Sequence, residues 1–121
     1  MKNPNLSKDQ QAVLFEKATE APFTGALLNV HDDGEYLCAN CGTLLFHSTN
    51  KFESGSGWPS FDDEIKGAVL RIPDADGSRT EIVCANCKAH LGHVFIGEGF
   101  TAKNTRNCVN SISMNFVPDK K

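Results

Sequence analysis

The chain predicts a mainly β fold with one short helix, stapled by a four-cysteine metal site, and three observations carry that prediction. Short β-branched and aromatic runs recur between turn residues; the quartet Cys-Ala-Asn-Cys occurs twice, at Cys38–Cys41 and Cys84–Cys87; and only a stretch near the N-terminus has helical spacing. At 121 residues and 40% hydrophobic content the chain has the size of one domain. Residues 1–121 are read as that domain, with 1–20 as an N-terminal arm and helix.

The elements follow in order. Ser7 with Gln10 three residues later is a capping-box signal, and Ala12, Phe15 and Ala18 lie on one helical face, so a short amphipathic helix is expected, ended by Pro22 and Gly25. Leu27, Leu28 and Val30 lead through Asp33 and Gly34 into Tyr36 and Leu37, the pattern of a hairpin. Leu44, Leu45 and Phe46 form the next strand, and the stretch Glu53 to Phe61 (ESGSGWPSF) is too broken by glycine and serine for regular structure. Ala68–Ile72 and Arg79–Val83 flank the turn Pro73-Asp74-Ala75-Asp76-Gly77 and should pair as another hairpin. Arg106 to Phe116 reads as one last strand. Its alternation puts Arg106, Cys108, Asn110, Ile112, Met114 and Phe116 on one side, the polar half forming a site and the apolar half anchoring it in the core.

A net charge of −3 and a pI near 5.7 give no electrostatic reason for a phosphate-backbone partner, so no nucleic acid is expected. No run reaches transmembrane length and none resembles a signal peptide, which points to a cytosolic chain away from membranes. Paired CxxC motifs in a reducing compartment bind metal or do redox work more often than they form fixed disulfides.

Two CxxC pairs bring four sulfurs to one ion at about 2.3 Å, the pattern of a structural zinc site made by Cys38, Cys41, Cys84 and Cys87. A thioredoxin-like dithiol is the rival, but it expects a helix directly after the motif, and neither pair has one. The fifth cysteine, Cys108, is left over. A free thiol is commonly a buried structural residue; here Arg106 on the same face would favour the thiolate, and Asn110 can donate and accept hydrogen bonds. His90 and His93 are candidates for proton transfer, since imidazole titrates near neutral pH, or else ordinary turn histidines. His31 and His47 have no such context and read as surface residues. Trp58 and Phe61 either tuck their loop onto the core or wall a pocket for a small apolar group beside sulfur.

Taken together, PFTG at Pro22–Gly25, the two CxxC pairs, GWPSF at Gly57–Phe61, HLGHVF at His90–Phe95 and RNCVNS at Arg106–Ser111 resemble the type B, methionine-R-sulfoxide reductases over nearly the whole chain. The resemblance implies two packed antiparallel sheets with a few short helices and a zinc ion remote from the active site. It implies Cys108 as nucleophile; Trp58 and Phe95 around the methionine methyl; and His90, His93, Arg106 and Asn110 along the polar side. It implies reduction of methionine-R-sulfoxide in proteins or peptides through a Cys108 sulfenic acid. Many relatives carry a resolving cysteine where this chain has Ser56, so a one-cysteine cycle regenerated by a thioredoxin-like or other thiol reductant is expected, in a monomer. Asn107 and Lys88 also depart from the common pattern and are expected to alter the pocket rim or reductase docking. Two readings from other classes remain: a zinc-ribbon module binding peptide or protein through Trp58, and a rubredoxin-like electron carrier with iron among the four sulfurs.

Overall fold

Helix α1 (Lys8–Glu16) opens a computed structural model that describes residues 6–74, 77 and 79–119; residues 1–5 of the expected arm, and Ala75 and Asp76 of the expected turn, lie outside the described residues. Ser7 caps α1 as expected: its hydroxyl accepts from the Gln10 backbone N–H at 3.1 Å and the Gln10 side chain accepts from the Ser7 N–H at 3.0 Å. The helix stops at Glu16, short of Ala18 and well before Pro22. Lys17 takes a left-handed conformation (φ 60°) as C-cap, which releases the following residues toward the sheets.

Nine strands follow among the described residues: β1 (Gly34–Cys38), β2 (Leu44–His47), β3 (Lys51–Phe52), β4 (Ser60–Phe61), β5 (Val69–Pro73), β6 (Thr80–Cys84), β7 (His90–Ile96), β8 (Thr105–Val109) and β9 (Met114–Pro118). All pairings are antiparallel, in a three-stranded sheet ordered β2-β1-β9 and a six-stranded sheet ordered β3-β4-β8-β7-β6-β5. The two sheets meet through aromatic side chains. Phe61 of the large sheet stacks on Phe46 at 4.4 Å and meets Tyr36 edge-on at 4.9 Å, while Tyr36 also touches Phe116. Tyr36, Phe46 and Phe61 are fully buried and form the centre of the core.

The β5–β6 hairpin forms where the sequence predicts it, pairing Val69 with Cys84 through Pro73 with Thr80. The hairpin expected from Leu27 into Tyr36 does not form. Residues 26–29 make turns instead, closed by Leu28 N–H to the Gly25 carbonyl, and the edges of β1 are taken by β2 and β9. The broken loop from Glu53 nevertheless contributes a short strand, β4, because Ser60 and Phe61 pair with Cys108 and Asn107.

The predicted last strand is two strands in different sheets. β8 ends at Val109, a 3₁₀ turn at Ser111–Ser113 follows, and β9 joins the small sheet. The Asn110 side chain and backbone N–H both reach the Leu91 carbonyl, which satisfies the chain as it leaves β8, so the strict alternation read through to Phe116 breaks there. Cys108 therefore stands on a strand flanked on both sides by neighbours, not on one running into the small sheet.

Candidate active site and metal centre

Cys108 lies directly across from Ser60 on one side and His93 on the other, so the Cys108 and His93 side chains project from the same sheet face, with Cβ atoms about 5 Å apart in such a pair. The thiol is half-buried. It opens on a cavity of about 130 Å³ lined by Thr19, Ser56, Trp58, Arg79, His93, Phe95, Arg106, Cys108 and Asn110. Of the residues expected at the site, Cys108, His93, Asn110, Trp58, Phe95 and Arg106 are thus brought together.

Arg106 pairs across the strands with Phe95, and its guanidinium carbon lies 4.5 Å from the centre of that ring. Glu98 holds the guanidinium from the far side, with Nε at 2.7 Å and Nη2 at 3.3 Å from its carboxylate oxygens. The Arg106 charge, and the donor groups of Arg106 and Ser56, favour the Cys108 thiolate. Burial acts the other way and is larger, so the thiol is pushed above its ordinary value. The expected influence of Arg106 is present, but it does not set the net direction.

His93 is held below the usual imidazole value by burial and by the nearby Arg79 cation, against the opposing pull of Asp74, whose carboxylate lies 3.7 Å from Nε2. Its ring is therefore neutral at pH 7. His90 does not line the cavity. In a regular strand residues three apart face opposite ways, but the β6–β7 register slips between Ile82 and Val83, and this bulge returns His90 to the His93 side with ring centres 5.7 Å apart. His90 is buried, with Nδ1 at 2.7 Å from Glu81, and the same carboxylate takes Lys17 Nζ at 3.0 Å. Burial pushes the Glu81 carboxyl up, but the hydrogen bonds from His90 and Lys17 outweigh it and hold it below the ordinary range.

Asn110 is occupied by the protein itself. Its Nδ2 donates to the Leu91 carbonyl at 3.0 Å, and its Oδ1 accepts from the Glu20 N–H at 3.1 Å. Glu20 also accepts from Trp58 Nε1 through its carbonyl at 3.0 Å and from the Ile112 N–H through its carboxylate at 3.0 Å. The segment after α1 thus fastens the tryptophan wall to the strand carrying the thiol. Sequence reasoning passed over Thr19, Glu20, Arg79 and Glu81. Only Glu81 left a signal, a single carboxylate beside the apolar Ile82 and Val83.

Asn107 and Lys88 are not at the cavity rim. Asn107 is fully buried and donates to the Phe61 carbonyl at 3.2 Å, because the residue next to Cys108 faces the core. Lys88 sits in the second cysteine turn, where it takes the left-handed conformation (φ 67°) that Gly42 (φ 79°) takes in the first.

The two cysteine turns repeat one hydrogen-bond pattern. Cys38 N–H reaches the Thr43 carbonyl and Gly42 N–H the Cys38 carbonyl; Cys84 N–H reaches the Ala89 carbonyl and Lys88 N–H the Cys84 carbonyl. All four sulfurs lie within 4.8 Å of one another, with Cys38 to Cys87 at 3.7 Å and Cys41 to Cys84 at 3.6 Å. A tetrahedral ion with bonds near 2.3 Å sets its sulfurs about 3.8 Å apart, so the residues fit a metal ion. Burial pushes the Cys38 and Cys84 thiols up, whereas in the exposed Cys41 burial is outweighed by hydrogen bonds, Thr43 and Asn86 foremost, which lower that thiol to about 6, so it is the two buried sulfurs that need a cation to ionise. None of the four lines the Cys108 cavity.

Comparison with known proteins agrees with this arrangement. Residues 6–118 match the SelR domain family. The chain is 56% identical over 115 residues to peptide methionine sulfoxide reductase B2, chloroplastic, of Arabidopsis thaliana, covering 94% of this chain and 57% of that protein. It is 54% identical over 114 residues to peptide methionine sulfoxide reductase B5 of Oryza sativa subsp. japonica, covering 93% and 84%. Among solved structures, the Mis18 "Yippee-like" domain superposes with a TM-score of 0.55 at 12% identity, over 74% of this chain and 99% of that one, a likeness of fold alone. Among the described residues no helix is long and apolar enough to cross a membrane. On the extent of these matches, the chain belongs to the SelR domain family, that of the peptide methionine sulfoxide reductases B.

Proposed function

We propose that the cavity around Cys108 reduces methionine-R-sulfoxide in peptides or proteins. The observation that carries this reading is the half-buried Cys108 thiol, set against His93 and Arg106, with an aromatic wall of Trp58 and Phe95 and no other cysteine in the cavity. The apolar wall suits a methyl group, and the Arg106 and His93 side suits a polarised oxygen.

In the proposed step the Cys108 thiolate attacks the electrophilic sulfoxide sulfur, and a proton reaches the oxygen from the His93 side of the cavity. Methionine leaves, and the oxygen stays on Cys108 as a sulfenic acid. The substrate sulfur is reduced by two electrons and the enzyme sulfur oxidised by two. His90, held by Glu81 behind His93, supports that ring, and Asn110 fixes the wall. Ser56 occupies the place beside Cys108 where a resolving cysteine would act and cannot form a disulfide. An external thiol, from a thioredoxin-like protein or a small molecule, therefore attacks the sulfenic acid, releasing water, and a second thiol frees Cys108.

The four clustered cysteines hold zinc, whose chemistry here is structural: it ties the β1–β2 turn to the β6–β7 turn. We infer a cytosolic monomer, with four of the five cysteines clustered as metal ligands rather than paired in disulfides; the Arabidopsis relative is named as chloroplastic.

The test is turnover of separated R and S sulfoxide peptides with dithiothreitol, comparing the parent chain with Cys108→Ser. The parent should reduce the R form and the variant neither, with an unchanged circular dichroism spectrum. Activity retained by Cys108→Ser would reject the assignment. Mass spectrometry of the sulfoxide-treated protein should find sulfenylated Cys108; an abundant disulfide from Cys108 to a CxxC cysteine would reject the one-cysteine cycle.

A further inference from the structure

The Pro22–Gly25 motif has no part in the step above, yet it holds the most exposed large apolar side chain among the described residues. Phe23 is 68% exposed. Its backbone is left-handed (φ 66°), a conformation that bulky residues rarely adopt and that persists only where the surroundings fix it. They do so here: Phe23 N–H donates to the Gly57 carbonyl at 2.7 Å, and Gly57, itself at φ 94°, leaves room where a Cβ would come within 2.6 Å of Pro22 and 3.1 Å of the Phe23 ring.

Beside Phe23 lies a groove of about 160 Å³, with Leu28, Phe52, Trp58 and Pro59 on its apolar side and Asn29, Glu53 and Ser54 on its polar side. Trp58 is shared, lining both this groove and the Cys108 cavity. That cavity, at about 130 Å³, is well below the roughly 300–1,000 Å³ of sites that enclose a whole small ligand. It takes one side chain. The polypeptide on either side of an oxidised methionine must then lie along the rim, where the exposed Phe23 ring at the edge of this mixed groove offers it an apolar contact.

We propose that Phe23 and its groove form a flanking subsite that binds an apolar residue next to the methionine sulfoxide of an extended polypeptide. This rests on the reading of Cys108 as a sulfoxide reductase. It makes the enzyme selective for methionines oxidised in apolar stretches, such as those exposed when a core opens.

The test uses the full chain with dithiothreitol and three R-sulfoxide substrates: N-acetylmethionine sulfoxide amide, a pentapeptide with leucine on both sides of the sulfoxide, and the same peptide with glycine. The parent should favour the leucine peptide over the glycine peptide by about tenfold in kcat/KM, the scale expected for partial burial of one aliphatic side chain. Phe23→Asn accepts the same backbone conformation, so it should fold; it should erase most of that preference while leaving the flank-free amide unchanged, and Phe23→Tyr should retain it. An equal preference in the parent and in Phe23→Asn would overturn the subsite alone. A parent that fails to reduce even the flank-free amide would overturn the underlying reading and the subsite with it. If Phe23→Asn slows turnover only when a thioredoxin-type protein replaces dithiothreitol, whatever the peptide, the patch serves the reductant and the proposal is wrong.

Discussion

Two opposed influences act on Cys108: burial, which disfavours its charge, and the Arg106 charge with the Arg106 and Ser56 donors, which favour it. Burial is the larger, so the resting thiol is mostly protonated at pH 7, and substrate binding has to complete its activation. Alkylation of Cys108 by iodoacetamide, followed by mass spectrometry, should reach its half-maximal rate above pH ~8.5, the midpoint of a solvent thiol. Arg106→Ala should move the rise to still higher pH, and a plateau already reached near pH 7 would contradict this balance. The residue types at the site were legible in the sequence, because Arg106 and Cys108 share a strand face by simple alternation. The balance between them was not, since burial depends on Thr19 and Trp58, which arrive from distant parts of the chain. Nor could the position of His90 be read, because a one-residue slip in the β6–β7 pairing has no local signature.

Among the elements, the contact between β7 and β8 determines the site. Gly92 sits opposite Val109, and a Cβ built at Gly92 would run into the Cys108 carbonyl. Gly92→Ala should therefore push β7 away from β8, costing about 1–3 kcal/mol in urea unfolding. It should also reduce turnover more than a mutation of equal cost on the remote β5. Unchanged activity would mean that the His93 to Cys108 spacing tolerates slack. The capped helix, β2 and the β5–β6 hairpin were readable from local signals: a capping box, an apolar run and a proline–glycine turn. The break at Asn110 was hidden, because the period-two pattern continues through it while hydrogen bonds to Leu91 and Glu20 redirect the backbone. The false hairpin at Leu27 shows the complementary failure, in which an apolar run supplies no partner when β1 is already paired on both edges.

For the whole molecule, the metal centre is the joint between the sheets, since one cysteine pair follows β1 of the small sheet and the other follows β6 of the large one. Metal analysis should find one zinc per chain. Removing it with a chelator should lower the melting temperature by well over ten degrees, in keeping with the roughly 10 kcal/mol that such sites contribute in zinc-finger peptides. Cys84→Ser should behave like the chelated protein, and a chelator-insensitive melting curve would contradict the assignment. The cysteine spacing announced this joint. The aromatic contact of Phe46, Tyr36 and Phe61 that supports it could not be read, because those side chains meet only after both sheets have formed.

The hydroxyl of Ser56, standing beside Cys108, carries a consequence for the economy of the cell. Under the one-cysteine cycle proposed above, an enzyme with no internal partner for its oxidised sulfur would stop after a single event and wait for a donor to arrive. Its throughput then follows the abundance of donors in solution, so repair would slow as the surrounding pool becomes depleted, and a growing fraction of the protein would persist as a record of that depletion.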